Sequence, residues 1–388
     1  MRIIDDKAKE LVRKIDSASG HTPELDADIA TLVAHLKAIC SNRYVRFAHT
    51  DSAHDAGELA PYPLDADGYA VAFDPVEQEA ELRETWNRFG VVVSRNVVPA
   101  AVRGHAIRKM HAVAAALSQG KCDLDRKETW AHIPCDSEGV PILSRGFFEL
   151  YHDDAIAALR QAPRLYLHFA IIWDRAEIWT TFDRLGIKLP GHEESAALPL
   201  HVDQNPNVHP DFRTVQGVLA LADCPAERGT FVAVPGSKRY FPAYAEMAEN
   251  KGEYIQLRDE CNPTVAKILR RRAQKLPLRA GDLVTWDSRT THANSENVSD
   301  LTRYVAYIAA GLAREDDAAL VAARAKAFET GVGSNVRDAL MHASKPPRFT
   351  DPDALARVRE PERLTLLGEL IYGRKRYSEI KEAPAPQR

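Results

Sequence analysis

Fourteen histidines in a chain of 388 residues invite a search for metal-ligand spacing. On a β-strand, alternate side chains share one face, so His-x-Asp lets an imidazole and a carboxylate grip a single ion. The pattern occurs four times, at His49/Asp51, His152/Asp154, His201/Asp203 and His209/Asp211, where composition alone predicts roughly one. Context separates the four. His152 lies in Phe148-Glu-Leu-Tyr-His-Asp-Asp-Ala-Ile-Ala-Ala-Leu-Arg160, which reads as a helix start. Residues two apart there diverge by about 200°, so Asp153 or Asp154 serves as an N-terminal helix charge. His49 falls in an irregular stretch, and His209 precedes a proline that suits a loop. His201 follows the apolar approach Ala196-Ala-Leu-Pro-Leu200 and leads into a β-rich centre, which makes His201/Asp203 the best placed pair.

A second imidazole is found at His292, where Leu278-Arg-Ala-Gly-Asp-Leu-Val-Thr-Trp-Asp-Ser-Arg-Thr-Thr-His292 reads as turn, strand and strand exit. Two histidines and one carboxylate on one side of an ion form the facial set typical of non-haem Fe(II), with three positions left open. Eleven residues later Arg303 opens another apolar strand. An arginine there supplies a planar fork for a dicarboxylate that chelates the metal through its other end.

The elements that must position these groups are legible around them. Val215 to Ala222, Thr230 to Val234, Leu278 to Trp286 and Tyr304 to Ala309 are short runs of Val, Ile and aromatics bounded by Gly, Pro, Asp and Asn, as strands are. Without βαβ alternation they predict an antiparallel sandwich or barrel. Before them, Leu11, Ile15 and then Ile29, Leu32, Val33, Leu36 and Ile39 recur at helical spacing. An irregular connector from Thr50 to Asp74 follows, then a charged helix, the run Gly90 to Val93 and a helix from about Pro99 to Leu117. Between Tyr240 and Lys275 the chain is polar and helix-prone. Beyond Glu315 it turns helical again, and its last residues from Glu382 read as a frayed tail.

Composition excludes more than it identifies. Hydrophobic residues at 45% and charged residues at 27% are ordinary for a globular protein. A net charge of −4, without a basic excess, argues against nucleic acid as a partner. The N-terminus lacks an apolar h-region, and no uncharged run reaches the roughly 18 residues of a membrane helix. Five scattered cysteines without a C-x-x-C pair suit reduced thiols, so a cytoplasmic location with no membrane partner is expected. No heptad pattern indicates an oligomeric state.

His201-Val-Asp203, His292 ninety-one residues on, and Arg303 eleven further resemble the Fe(II)/2-oxoglutarate-dependent oxygenases, specifically the phytanoyl-CoA dioxygenase-like branch. Gly229-Thr-Phe-Val-Ala-Val-Pro-Gly-Ser-Lys-Arg239, Gly281 to Arg289 and Trp86 to Pro99 are similar to that branch's further strands and turns. The resemblance covers about residues 84 to 313. It implies a mainly β core with α flanks, a double-stranded β-helix (jelly-roll or cupin-like barrel) with helical N- and C-terminal extensions. The expected units are an N-terminal extension and connector (1–83), an oxygenase barrel (84–313, with an insertion at 240–275) and a C-terminal extension with its tail (314–388). It further implies Fe(II) on His201, Asp203 and His292, with 2-oxoglutarate and dioxygen as co-substrates. Arg303 would hold the distal carboxylate, with Gln216 as a further co-substrate contact. Because Asp203 is present, the resemblance points to hydroxylation of a small-molecule C–H bond, and away from halogenation.

Candidate substrate contacts are Asp183 and Arg184, approaching the iron strand, and Trp286. A salt bridge in the barrel wall is the alternative for the first two, and core packing for the third. The Arg270 to Arg272 run reads as a solvated helix face or as an attractor of an anionic substrate such as an acyl-CoA. His168 reads as a hydrogen-bonded core residue. Two rival functions stay open at this point: a cupin-type dioxygenase that does not use 2-oxoglutarate, and a non-catalytic barrel that senses a ligand.

Overall fold

The computed structural model describes residues 4–18, 20–40, 59–136, 138–248, 252–334, 343–345 and 352–381. Two antiparallel sheets face each other across the centre. The larger has eight strands: β1 (Val91–Ser94), β2 (Phe147–Phe148), β3 (Ile178–Thr180), β4 (Leu185–Lys188), β6 (Val215–Ala220), β10 (Leu283–Asp287), β12 (Arg303–Tyr307) and β13 (Ala310–Leu312). The smaller runs in the order β8-β5-β11-β7-β9, from β5 (Leu198–Val202), β7 (Phe231–Ala233), β8 (Ile255–Gln256), β9 (Gln274–Leu276) and β11 (His292–Asn294). Every strand pair is antiparallel, and the pair of sheets forms a jelly-roll core flanked by helices.

The central strands are buried along their whole length because both faces of the large sheet are covered. Val91, Val93, Val218, Val284 and Val305 point inward against Phe231, Ala233 and Leu276 of the small sheet. Val92, Leu219, Leu283 and Ala306 point outward into a second core built with the helices. This is why the runs read as continuously apolar although the strand period is two. The inward set continues with Gln216, Trp286, Arg303 and Tyr307, so the same alternation carries polar groups into the cavity.

The outer layer is helical: α1 (Asp6–Asp16), α2 (Pro23–Ile39), α3 (Glu79–Phe89), α4 (Ala100–Leu117), α5 (Asp154–Arg160) and α6 (Pro163–Trp173) precede the small sheet. Each of the first two begins on a side-chain cap, Asp5 accepting from Ala8 N–H and Thr22 from Leu25 N–H. Val12, Ile29, Leu32 and Leu36 share one core with Leu165, Phe169 and Leu370, so the terminal segments pack onto the barrel.

The helix-prone segment from 240 to 275 also supplies strands. It contains α7 (Pro263–Arg272), but also β8 and β9, the two edge strands of the small sheet. Their brevity hides them from periodicity, since two or three residues cannot show alternation. After the barrel come α8 (Ala318–Thr330), the hairpin β14 (Gly333–Ser334) and β15 (Ala343–Lys345), α9 (Pro352–Val358) and α10 (Leu366–Tyr372). The expected frayed tail from Glu382 and the pair His49/Asp51 lie outside the described residues. No helix among the described residues is long and apolar enough to cross a membrane.

Candidate metal centre

His201 and His292 occupy directly opposed register positions on β5 and β11. Each imidazole donates its Nδ1–H to the carbonyl two residues earlier, His201 to Pro199 at 2.8 Å and His292 to Thr290 at 3.0 Å. A carbonyl can only accept, so Nε2 is left as the lone-pair nitrogen on both rings. Those nitrogens converge on Asp203 Oδ2, at 3.8 Å from His201 and 3.4 Å from His292. One ligand atom from each of the three lies within 4.8 Å of the others. Imidazoles oriented through the far nitrogen, with a carboxylate between them, are the donor set a divalent transition metal takes.

Gln216 controls the carboxylate. Its Nε2 donates to Asp203 Oδ2 at 3.0 Å, and its Oε1 accepts from Trp286 Nε1 at 2.9 Å, across the register pair Trp286↔Gln216. Both ends of the amide are therefore engaged by protein, although the residue lines the cavity as expected. Aromatic rings close the rest of the site. The Trp286 ring lies 4.8 Å from His292 and stacks on Phe231 at 4.4 Å, while Tyr254 packs on His201 at 4.6 Å.

A cavity of about 700 Å³ opens over these groups. Arg303 lines it while only 2% exposed, and its Nε and Nη1 have no hydrogen-bond partner among the described residues. Two unmet guanidinium donors in a buried position fit a bound carboxylate, because leaving them unpaired is costly. The residues present therefore suit both Fe(II) and a dicarboxylate.

Asp183, Arg184 and Trp286 also line the cavity. Arg184 pairs with Asp183 at 3.1 Å and lies over the Phe147 ring at 4.2 Å, so the wall salt bridge and a place at the cavity surface coexist. The other His-x-Asp pairs are elsewhere. His152 bonds the Val332 carbonyl at 3.0 Å, while Asp154 at the start of α5 pairs with Arg363. His209 is a loop residue beside Glu253 at 3.4 Å. The Arg270–Arg272 run sits on the last turn of α7, with Arg270 paired to Asp259, and none of the three lines the cavity. His168 is fully buried between Ser94 Oγ (2.6 Å) and Thr285 Oγ1 (2.9 Å), and burial pushes its pKa down to about 3.

Several lining residues escaped the sequence reading: Gln256 on β8 and Tyr254 just before it, Tyr151, Asn294, and Gly333 with Ser334 from the C-terminal hairpin. Only Asn294 carried a usable signal, since it follows His292 by two on a strand and shares its face.

The arrangement defines a non-haem iron oxygenase of the jelly-roll class. Residues 64–305 match the family model for phytanoyl-CoA dioxygenase, and the chain belongs to that family of Fe(II)- and 2-oxoglutarate-dependent enzymes. A relative from Aspergillus versicolor, Ava biosynthesis cluster protein O, is 28% identical over 253 residues, spanning 61% of this chain and 79% of that protein. Among solved structures, a hypothetical protein from Escherichia coli superposes with a TM-score of 0.53 at 17% identity, covering 95% of this chain and 98% of that one. The epimerase SnoN, solved with Fe3+, alpha-ketoglutarate and nogalamycin RO, has a TM-score of 0.43 at 18% identity, covering 61% of this chain and 84% of that one.

Proposed function

We propose that His201, Asp203 and His292 bind Fe(II), that Arg303 pairs with the distal carboxylate of 2-oxoglutarate, and that the enzyme hydroxylates a C–H bond of a small molecule. The observation that carries this reading is one cavity holding both the three converging ligands and the two unmet N–H groups of Arg303. When bound, Fe(II) with 2-oxoglutarate and dioxygen supplies the oxidant, one oxygen atom going to the substrate and one to succinate as CO2 leaves. The chain's own work is positional. The Pro199 and Thr290 carbonyls aim the imidazoles, Gln216 holds the carboxylate, and Tyr254 and Trp286 pack their rings against His201 and His292.

Asp183 and Arg184 are proposed to meet polar groups of the substrate, and Trp286 its apolar part. All three stand on the cavity surface, and the polar pair holds itself in place. The test is anaerobic addition of Fe(II) and then 2-oxoglutarate, followed by visible absorption, and afterwards a succinate-release screen over amino acids, acyl thioesters and secondary metabolites. A new visible band and coupled succinate release with one compound are expected. Absence of any band and of stabilisation by Fe(II) would overturn the assignment. Turnover indifferent to 2-oxoglutarate would favour the cupin-type alternative.

A further inference from the structure

The cavity that holds Arg303 reaches a second level on the same sheet. Four residues along β12 from Arg303, Tyr307 donates its backbone N–H to the Arg184 carbonyl at 3.0 Å. The two levels are therefore about 13 Å apart at the ordinary strand rise. Asp183 lines the cavity at the second level, and Tyr151, Gly333 and Ser334 line it as well. Gly333 lies against the Tyr151 ring: a β-carbon there would sit 2.5 Å from Cδ1 and Cε1 and 2.7 Å from Cζ. Non-bonded carbons do not approach that closely, so any side chain at 333 forces the ring or a backbone to move. The Gly333 backbone is not in the left-handed region, so what excludes a side chain is the ring.

Both backbones are pinned. On the Tyr151 side, the fully buried Arg160 donates Nη1 to the Tyr151 carbonyl at 2.8 Å and Nη2 to the Asp183 carbonyl. Its Nη1 also reaches the Tyr372 hydroxyl of α10 at 3.0 Å. His152, next in the chain, donates Nε2–H to the Val332 carbonyl at 3.0 Å, with its ring between Phe182 (4.8 Å) and Phe328 (5.6 Å). On the Gly333 side, Ser334 exchanges two bonds with Phe182. Its N–H donates to the Phe182 carbonyl at 3.0 Å, and its Oγ accepts from the Phe182 N–H at 2.7 Å. Leaving such buried groups unpaired costs more than turning one side chain, so the ring is the part that yields. Tyr151 is otherwise buried, and the open space available to it is the cavity it lines.

We propose that Gly333 and Tyr151 together set the depth of the substrate end of the cavity, with Gly333 as a specificity-determining residue. Arg160 is a positioning residue, fixing the backbone from which the Tyr151 ring projects. The C-terminal extension thereby supplies part of the substrate site, through β14 and through the α10 hydroxyl that Arg160 meets. The inference rests on the oxygenase reading above and adds which residues select the substrate by size. A single carbon added at 333 reaches the substrate as a displaced phenol ring.

The test compares wild type, Gly333→Ala, Tyr151→Ala and the double variant. The probes are the compound that gives coupled succinate release in the screen above and its analogues one carbon shorter and one carbon longer. Gly333→Ala should raise KM for that compound about tenfold or more, and should penalise the longer analogue most. KM for 2-oxoglutarate and the affinity for Fe(II) should stay at wild-type values, since Arg303 and the ligands lie at other levels. Tyr151→Ala should admit the longer analogue, and the double variant should behave as Tyr151→Ala does, because the added carbon then meets no ring. A crystal structure of Gly333→Ala should show the ring turned into the cavity with β14 in place. An unchanged KM in Gly333→Ala, a rise that persists in the double variant, or a displaced β14 beside an unmoved ring would overturn the proposal. Absence of Fe(II)- and 2-oxoglutarate-dependent turnover with every compound would instead overturn the functional reading, and the substrate role of this wall with it. Where Gly333→Ala fails to fold, Tyr151→Ala decides alone: no gain with the longer analogue would sink the depth-setting role.

Discussion

His201 and His292, ninety-one residues apart in the chain, face each other across the β5–β11 pair with ring centroids 4.3 Å apart. Opposed positions on an antiparallel pair bring side chains together without help from loops. The β-ladder itself therefore sets the spacing of the two imidazoles proposed as ligands, and Asp203, just past the end of β5, is the proposed third. A site built on paired strands is held more tightly than one built on loops.

Loss of a ligand should separate metal binding from folding. His292→Ala is expected to weaken Fe(II) by about 100-fold or more. Added Fe(II) should raise the melting temperature of the wild type, because a ligand that binds only the folded state stabilises it. The variant should show no such rise. Calorimetry and thermal scans with and without Fe(II) check this, and unchanged affinity would remove His292 from the ligand set.

Gln216 acts on Asp203 from outside the ligand set. Gln216→Leu removes the 3.0 Å bond to Asp203 and the 2.9 Å bond from Trp286. A drop in Fe(II) affinity of about 10- to 100-fold is expected, the usual effect of removing a group that orients a ligand. Gln216→Glu should restore the link to Trp286 but set a second carboxylate against Asp203. Affinity equal to wild type in Gln216→Leu would show that the carboxylate is held by other means.

Arg303 is a buried cation with two unmet donors, and its removal should have opposite effects on binding and stability. Arg303→Leu is expected to weaken 2-oxoglutarate by about 100-fold or more while Fe(II) still binds. The protein without 2-oxoglutarate should be no less stable than wild type, since an unpaired buried charge is replaced by apolar volume. A titration series and urea unfolding on the same samples test both halves.

His168 predicts the acid limb of stability. Its folded pKa, lowered by burial to about 3, lies below the ordinary histidine value. As pH falls below about 6.5 the unfolded chain binds a proton that the native state refuses, so stability declines until about pH 3. The slope from this group approaches 1.4 kcal/mol per pH unit. His168→Met should lose about 1–3 kcal/mol at pH 7, where Ser94 and Thr285 lose their partner, yet decline less steeply between pH 6 and pH 4. Urea unfolding across that range measures both, and parallel slopes would assign the acid limb to other groups.

Gly217 sits mid-strand on β6, where a β-carbon would lie 2.6 Å from the Ile308 carbonyl. Gly217→Ala must shift β6 or its neighbour, and a loss of about 1–3 kcal/mol is expected. The shift would also move Gln216 against Asp203, so Fe(II) affinity should fall along with stability. A variant as stable as wild type would show that the strands adjust freely there.

Much of this protein was legible in one dimension. Val215 to Ala222 and Leu278 to Trp286 announce strands through local composition, and Ile29, Leu32, Val33, Leu36 and Ile39 announce a helix through their spacing, because those preferences act over a few residues. The His-x-Asp spacing ties Asp203 to His201 without any knowledge of what lies opposite. The proposed set His201, Asp203, His292 and Arg303 was therefore open to reading from spacing, residue type and the family resemblance they carry.

Pairings across strands were not. That His292 meets His201, Trp286 meets Gln216 and Arg303 meets Lys188 depends on register, which is settled by packing between segments tens of residues apart. The two-residue strand carrying Gln256, with Tyr254 just before it, and the hairpin carrying Gly333 reach the cavity the same way. Their local sequence contains too little of the contact that stabilises them. Chemistry that needs one strand face is written locally, whereas the approach of Lys188 to Arg303 exists only once the large sheet has folded.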